Sequence, residues 1–543
     1  MLSKKPDNYI DFTSFKEWLH NDKTVKKMRI TDVSTYVLWT FIRGVIKGHY
    51  MDSYEYYSKE EFFKYIHNNE PKYEGVKEKI YECYNLYQKY LKKNDLFDDN
   101  DLASIIISKK ICKNYYFIVD EVQDLTKRVL YALIHMTEGN QIFMFGDPNQ
   151  TIQPTIIDIN SIQSYFIDTI AYNNYKKEKL PTTYRNGKSI LKFINYLNQL
   201  RIDLIGKSDT EDDTVIVSNR DDGEDLCAIK SIGNKDLNKR VLELALNNPN
   251  TYILVSSDEE KDKLKSINPD FDTRVSTIED VKGLEHDNII IYNFGQDNKK
   301  YIKDILLGNG KKDTFSRTLF NRLYVASTRA RNRIVILEDN KDIIYDEFYK
   351  GIIENNLFEE IELYITSKET NPEMWLNAAE NYKKEHFYAS AEYAYTKLKK
   401  ILNTTDYDED ITLCEALESV NNKVNNRSIP PQRRYEILAQ NVDIFIENME
   451  YDFIYDALER LHQNGVEYTD LYYYIKLLKG ISWTESDLDN IAKLTSLKFL
   501  SRDIAFINKH FISDGVKSLN DKTKEIEKII GEIVWMKVKY KQL

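Results

Sequence analysis

The sequence predicts an α/β protein in which parallel strand–helix units lie between two helical regions. The chain has 18 glycines and 10 prolines among 543 residues, well below the share of roughly 12% that is usual in globular proteins, which favours helices over loops. Between residues 111 and 340, short apolar runs alternate with stretches of helical periodicity, as parallel strand–helix units do. After about residue 345 the pattern is helical and indicates no strand.

The first region, residues 1–110, is predicted to be helical because its apolar residues recur at three- and four-residue spacing. Its clearest helices are Tyr36–Arg43, Lys59–His67 and Val76–Lys93. In the middle region, six apolar runs predict the strands: Tyr115–Val119, Gln141–Phe145, Val215–Val217, Tyr252–Val255, Ile289–Tyr292 and Arg333–Leu337.

The last region, residues 346–543, is predicted to be all-helical, with interruptions at Asn403–Asp410 and Ile429–Gln432. Five residues within it have the spacing of a tetratricopeptide unit: Trp375, Ala379, Tyr382, Ala391 and Tyr395. An ordinary helical hairpin explains them as well, because no clear second copy follows about 34 residues later.

Charge and cysteine usage narrow the function classes. The net charge is −11, from 76 basic and 87 acidic residues that are interspersed, which argues against a simple basic nucleic-acid coat but leaves room for a local basic groove. The four isolated cysteines, Cys83, Cys112, Cys227 and Cys414, show no CxxC spacing, so we expect a reducing compartment. No apolar run approaches the ~18 residues of a membrane span, and we expect a cytoplasmic protein without a membrane partner.

The strongest chemical signal is the pair Asp120 and Glu121, directly after the apolar run that ends at Val119. In parallel sheets, ligands bind at the carboxyl ends of the strands. One carboxylate there is suited to hold Mg²⁺ while its neighbour polarises an attacking water. A solvated strand end is the alternative interpretation of the pair.

Further motifs follow in order and weaken that alternative. They are Gly146-Asp147-Pro148-Asn149-Gln150 after a strand, Tyr184-Arg185 before a helix, Thr277 with Lys282-Gly283-Leu284-Glu285 before a strand, and Tyr324–Ala330 before the last strand.

In this order the motifs resemble motifs II to VI of the UvrD/Rep-type superfamily 1 helicases, over about residues 30–340. Trp39, Ile42 and Arg43, with Asp99–Leu102, also look like the helical 1B insertion of a branch that includes tetratricopeptide- and ankyrin-containing helicase-like proteins. The resemblance implies four regions: 1–110, helical and 1B-like; 111–180, the rest of an incomplete first RecA-like domain; 181–345, a second RecA-like domain; and 346–543, a helical, tetratricopeptide-like region that binds a partner.

The resemblance also implies that ATP hydrolysis with Mg²⁺ drives translocation on single-stranded DNA. Asp120 would bind Mg²⁺ and Glu121 would act as the base towards water. Gln150 would sense the γ-phosphate, and Arg185 and Arg329 would clamp the transferring phosphate. Gly283 and Glu285 would bind the nucleotide, with Glu285 at the ribose. Thr277 would contact the nucleic-acid backbone.

One motif of that family, GxxxxGK[ST], has no match in this sequence. Upstream of Asp120 the glycines are Gly44, Gly48 and Gly75, and none precedes a lysine. Gly187-Lys188-Ser189 fails because position 182 is a threonine. We therefore expect a protein partner to supply the phosphate-binding loop, or P-loop, together with its strand.

Without that strand, the two strands that precede Asp120 and Gly146 are expected to border an open gap. We expect the gap to expose the apolar side chains of Phe117, Val119, Ile142 and Phe143. Three interpretations stay open. The chain is one part of a split or truncated helicase, or a non-catalytic helicase-like scaffold or regulator that binds nucleic acid or a protein in DNA repair or phage defence, or a fragment of a longer product.

Overall fold

A computed structural model describes most of the chain. The described residues are 6–28, 33–49, 55–111, 116–137, 142–152, 155, 176, 178–206, 215–220, 229–281, 285–308, 314–350, 352–354, 361–362, 371–467, 471–472 and 475–476. The chain divides into two compact units, one formed by Tyr9–Met374 and the other by Met1–Asn8 with Trp375–Leu543. Among the described residues, no helix is both long and apolar enough to cross a membrane.

The unit Tyr9–Met374 begins with helices that pack around an aromatic core. They are α1 (Phe12–Asn21), α2 (Lys23–Lys27), α3 (Thr35–Trp39), α4 (Lys59–Asn69), α5 (Lys77–Lys93) and α6 (Asp99–Ser108). The predicted helix over Tyr36–Arg43 begins as α3 and continues as a π-helix, Thr40–Lys47, a form common near functional sites. Capping boxes at Ser58 and Asp98 fix the first turns of α4 and α6.

A two-stranded parallel sheet follows, made of β1 (Phe117–Val119) and β2 (Ile142–Met144). One face of this sheet packs on α7 (Lys127–His135), where Leu130 and Ile134 are buried. The predicted gap between the two strands is wrong, because β1 and β2 pair directly, Ile118 lying opposite Phe143.

The prediction of which side chains are exposed was partly wrong as well. Phe117, Val119 and Ile142 are half-buried, since the side chains that alternate with Ile118 and Phe143 point to the α7 face. Of the four residues named, Phe143 is exposed.

The larger sheet of this unit has six parallel strands in the order β10-β5-β9-β8-β6-β7. The strands are β5 (Ile229–Ile232), β6 (Thr251–Val255), β7 (Val275–Thr277), β8 (His286–Tyr292), β9 (Ala330–Glu338) and β10 (Ile353–Glu354). Alternate residues of β8 belong to two different buried clusters, Ile289 and Ile291 to one, Ile290 and Tyr292 to the other. Both faces of the sheet are therefore covered, as parallel sheets require.

Helices and a short strand pair complete the unit. The helices are α8 (Lys188–Ile205), α9 (Lys235–Leu246), α10 (Asp258–Ile267), α11 (Phe294–Asp297), α12 (Lys299–Leu306), α13 (Thr314–Thr328) and α14 (Ile343–Phe348). The strand pair is parallel and consists of β3 (Thr182–Thr183) and β4 (Val217–Ser218).

The second unit is helical in its described part. A short 3₁₀ helix, Pro6–Asn8, precedes α15 (Pro372–Lys384), α16 (Tyr388–Leu402), α17 (Asp408–Asn425), α18 (Pro431–Glu447) and α19 (Tyr451–Gln463). From α16 onward each helix packs on the next. The Asp7 carboxylate accepts hydrogen bonds from the Arg434 guanidinium, and the Asp7 amide donates to Oδ1 of Asn464 at 2.7 Å.

The structure confirms the α/β class with parallel strands and the helical pair at 375–395, whose five marker residues lie in one buried cluster. The prediction that no strand follows residue 345 is wrong, since β10 pairs with β5. The strands β3, β5 and β7 were not predicted. Of the four cysteines, Cys83 and Cys414 are buried and free, and Cys112 and Cys227 lie outside the described residues.

Candidate functional site

Two acidic residues lie at the carboxyl end of β1. Asp120 is exposed, and its Oδ1 accepts a hydrogen bond from the Glu121 amide at 2.8 Å. Glu121 has φ +51°, in the left-handed region, directly before the 3₁₀ helix Val122–Asp124. Such backbone strain in a residue other than glycine is typical of functional sites.

Gln123, which is buried, holds this turn against the loop that follows β2. Its amide nitrogen donates to the Glu121 carboxylate, and its Oε1 accepts a hydrogen bond from the Asp147 amide at 3.2 Å. A Cβ atom at Gly146 would lie 2.5 Å from Oε1 of Gln123 and 2.8 Å from Cγ1 of Val122. The close approach of the two loops therefore requires glycine at position 146.

The loop after β2 is itself organised by Asp147. Its Oδ2 accepts hydrogen bonds from Nε2 of Gln150 and from the hydroxyl of Tyr324, each at 3.0 Å. Burial raises the pKa of Tyr324 well above its ordinary value, and the Asp147 charge raises it further, so the phenol remains a donor. Asn321, one turn earlier on α13, donates to the carbonyl of Thr151 at 2.9 Å.

Arg329 lies directly after α13 and is almost fully buried. Its guanidinium donates to Oε1 of Gln150 at 3.0 Å and to the carbonyl of Val325 at 3.2 Å. Burial lowers the pKa of Arg329, the charge of Arg185 lowers it further, and the charges of Glu285 and Glu121 oppose the shift. Arg329 thus contacts Gln150 and lies within electrostatic range of Glu121 and Arg185, and the roles of these four residues stay predictions.

Glu285 is engaged by arginine side chains. Its carboxylate forms ion pairs with Arg185 and, at 3.0 Å, with Arg331. Arg220 supports the arrangement by donating to the carbonyls of Arg185 and Arg331, each at 2.7 Å. These residues line an open cleft of about 890 Å³. The ribose role of Glu285 stays a prediction, and in this structure the carboxylate orients two guanidinium groups.

Thr277, at the end of β7, is buried, and its hydroxyl accepts a hydrogen bond from the Asp280 amide at 3.3 Å. Its expected contact with nucleic acid stays a prediction. Gly283 lies outside the described residues, and its role in nucleotide binding stays a prediction.

A buried polar network connects the N-terminal helices to the Asp120–Asp124 turn. The Arg43 guanidinium binds the Asp99 carboxylate at 2.5 Å and reaches the carbonyl of Asp124 at 3.4 Å. One turn further on, the fully buried Lys47 pairs with Asp98 at 2.5 Å and with Asp101 at 2.9 Å.

Several of these supporting residues were not predicted as part of the site. Gln123, Asp147 and Tyr324 lie within the motifs that the sequence revealed, so their positions carried a signal. Arg220 lies in no motif, and no pattern distinguishes it.

The chemistry of the carboxylates suits Mg²⁺. Mg²⁺ prefers oxygen ligands and is usually held in proteins by one or two carboxylates together with phosphate oxygens and water. Asp120 offers an exposed carboxylate that forms no ion pair with a basic side chain among the described residues. In the same part of the chain, no group of three or more His, Cys, Asp or Glu side chains is placed to hold a metal ion, so further ligands would have to come from phosphate and water.

Part of the chain matches a family of known proteins. Residues 14–153 match the family model of the UvrD/REP helicase N-terminal domain. The match supports a relationship with the UvrD-type superfamily 1 helicases and a helicase-like function. The matched segment contains Asp120, Glu121 and Gln150 and ends before Arg185.

The chain is also similar to a human protein, TPR and ankyrin repeat-containing protein 1 of Homo sapiens. The two are 25% identical over 327 residues, which cover 54% of this chain and 11% of that protein. The match thus spans about a tenth of the length of this relative.

Proposed function

We propose that this chain, related to the UvrD-type helicases, carries the catalytic half of an ATPase that translocates on single-stranded DNA. The observation that carries the proposal is that Arg329 contacts Gln150 and lies within electrostatic range of Glu121 and Arg185. A carboxylate next to two guanidinium groups and an amide is the set of groups that phosphoryl transfer to water needs.

Each group has a distinct task in this proposal. Glu121 accepts the proton of the attacking water, and its strained backbone and the bond from Gln123 fix its orientation. Arg185 and Arg329 stabilise the charge that develops on the transferring phosphoryl oxygens. Gln150, bonded to Arg329 at 3.0 Å, reports the presence of the γ-phosphate to α13. Asp120 would hold Mg²⁺, which would supply positive charge to neutralise part of the phosphate charge.

We further propose that the phosphate-binding loop comes from another polypeptide. This sequence has no GxxxxGK[ST] match, and the backbone amides and lysine of such a loop normally hold the β- and γ-phosphates. On this proposal the chain is one part of a split helicase, with residues 111–180 and 181–345 as its two RecA-like portions and the helical residues 346–543 as a tetratricopeptide-like surface for a partner. The similarity to the tetratricopeptide- and ankyrin-containing branch of helicase-like proteins belongs to the same proposal.

ATP hydrolysis tests the proposal. Purified chain, alone and co-purified with the product of the gene immediately upstream, would be assayed for phosphate release with and without single-stranded DNA. We expect no helicase-like turnover from the chain alone and DNA-stimulated turnover from the complex. Glu121→Gln in the complex should reduce turnover by about 10²–10⁴-fold, the usual contribution of a positioned base. Glu82→Gln, at an exposed position of α5, is the matched control.

Two results would contradict the proposal in different ways. Robust turnover by the isolated chain that disappears in Glu121→Gln would remove the need for a second polypeptide. Turnover that is indifferent to Glu121→Gln would remove the catalytic assignment. Binding of single-stranded DNA or of a protein without hydrolysis under any of these conditions would favour the alternative, a non-catalytic helicase-like scaffold.

A further inference from the structure

One arginine that lies in no motif joins two segments of the cleft. Arg220 lies two residues after the end of β4 and is half-buried. Its Nη1 donates hydrogen bonds to the carbonyls of Arg185 and Arg331, each at 2.7 Å, and its Nη2 donates to Oδ1 of Asn332 at 2.9 Å. A single guanidinium therefore joins the segment after β3 to the first residues of β9.

An asparagine connects the same two segments a second time. Asn186 is buried, and its Nδ2 donates to the carbonyls of Thr328 and Ala330, at 3.1 and 2.6 Å. These two residues flank Arg329 in the sequence. The main chain at Arg185 is thus fixed to the main chain at Arg329 by side-chain bonds to carbonyl oxygens.

The charges in the cleft oppose this arrangement. Arg185 and Arg331 both pair with the Glu285 carboxylate, Arg331 at 3.0 Å. Like charges repel each other, and they do so more strongly in a partly buried site than in water. Arg220 resists that repulsion through the main chain, because its bonds go to carbonyl oxygens and leave the Glu285 carboxylate to the other two arginines.

We propose that Arg220 is a positioning residue for ATP hydrolysis. By bonding the carbonyls of Arg185 and Arg331, it keeps the Arg185 guanidinium aligned with that of Arg329 while the phosphoryl group is transferred. The inference rests on the proposed function, in which the latter two arginines stabilise charge that develops in the transition state. The contribution of Arg220 therefore belongs to kcat, and substrate binding depends on it little.

Steady-state kinetics of the complex with the P-loop-bearing polypeptide measure this contribution. In Arg220→Ala we expect kcat to fall about 10–100-fold, the effect of misplacing a catalytic group by about 1 Å. The KM for ATP should change less than about twofold, since an interaction made only in the transition state lowers kcat and kcat/KM equally. Arg240→Ala, at an exposed position of α9, is the matched control and should leave both values unchanged.

A double variant shows whether Arg220 acts through Arg185. If it does, Arg185→Ala and the double variant Arg185→Ala with Arg220→Ala should have the same kcat within about twofold, because residues that act as a unit are not additive. A further fall by the full factor of Arg220→Ala would show that Arg220 acts separately, and would overturn the inference.

Arg220→Lys separates placement from charge. Lysine keeps the positive charge but lacks the planar fork of donors, so we expect kcat to stay well below that of the parent complex. Full recovery in this variant would mean that the cleft needs a positive charge at position 220 and no bridge between main chains.

Hydrogen exchange of the isolated chain tests the bridge without nucleotide or partner. The Gly187 amide donates to the carbonyl of Arg331 at 3.3 Å, so a peptide that covers residues 185–188 reports whether the two segments stay together. Arg220→Ala should exchange faster in this peptide, and Arg240→Ala should not. Buried strand β6 should keep its protection in both variants, which shows that the fold is intact.

The two measurements fail in different ways. A parent complex without turnover would remove the proposed function and with it the kinetic role of Arg220, while faster exchange in Arg220→Ala would show that the bridge itself exists. Parent turnover that Arg220→Ala leaves unchanged would overturn the inference and leave the proposed function standing. Unchanged exchange in Arg220→Ala would show that the segment keeps its place without this arginine.

Discussion

Arg329 donates a hydrogen bond from Nη2 to Oε1 of Gln150, at 3.0 Å and across 179 residues of sequence. The same Gln150 donates a hydrogen bond to Asp147, and Asp147 also accepts one from the hydroxyl of Tyr324 on α13. The loop after β2 and the end of α13 are therefore connected by a continuous chain of hydrogen bonds. If the contacts of Gln150 change, these hydrogen bonds can transmit the change to the position of α13.

Gly146→Ala tests the contact between the two loops of the site. The added methyl group would lie 2.5 Å from Oε1 of Gln123, so the buried Gln123 side chain must move and lose its bonds to Glu121 and Asp147. Leaving such a buried amide unpaired costs about 1–3 kcal/mol. We expect that loss in the free energy of unfolding, measured by chemical denaturation, and a fall in turnover of the complex.

Gly75→Ala is the matched control, because nothing lies within 4 Å of a Cβ atom there. Equal stability of the two variants would show that the loops separate at no cost and that Gln123 does not hold Glu121.

The buried ammonium of Lys47 supports a second stability prediction. Lys47→Met would leave Asp98 and Asp101, which it pairs with at 2.5 and 2.9 Å, without their cation in the interior. Removing one partner of a buried ion pair typically costs about 3–5 kcal/mol. Thermal denaturation should show a large drop in melting temperature, and Lys64→Met, at an exposed position of α4, should show almost none. A small effect at Lys47 would mean that water enters the cluster and replaces the ammonium.

Motifs in the sequence identified Glu121, Gln150, Arg185 and Arg329 as candidate site residues, and their roles stay predictions. The sheet that carries them was predicted only in part. The strand β5 was missed because it is short and contains the polar Lys230 and Ser231, which tertiary contacts bury.

Contacts between distant residues carry no local signal in one sequence. The bond between Tyr324 and Asp147 spans 177 residues, and neither residue type at its own position indicates the other. The direct pairing of β1 with β2 was missed for the same reason, since the strand order of a sheet is a long-range property.

Single-stranded DNA binding is the third prediction. We expect the chain alone to bind single strands weakly and without sequence preference, because its net charge is −11 and phosphate contacts dominate such binding. Fluorescence anisotropy over a salt series should show affinity falling steeply with salt, and a duplex of the same sequence should bind less well. Tight, salt-insensitive or sequence-specific binding would contradict this prediction.

Acid sensitivity is expected from His286, at the start of β8. Its ring stacks on Tyr252, with centroids 4.4 Å apart and planes within 2°. Burial lowers the pKa of His286 to about 3, with further lowering by the charges of Arg274 and Arg331. The unfolded chain takes up a proton near the ordinary pKa of about 6.5, whereas the folded chain does not until the pH is far lower.

Because the unfolded state binds more protons over this range, stability must fall as the pH falls from 6.5 towards 3. The stability that neutral His286 contributes is fully present above pH 6.5, and between pH 6.5 and pH 5 roughly 2 kcal/mol of it should be lost. His49, whose pKa burial lowers to about 4, adds to the same trend.

His286→Phe keeps an aromatic ring against Tyr252 and removes the titration, so its unfolding free energy should fall less steeply over this range than that of the parent chain. His67→Gln, at an exposed position of α4, should keep the parent slope. Urea denaturation at a series of pH values gives both slopes, and an unchanged slope in His286→Phe would show that the ring takes up its proton in the folded protein.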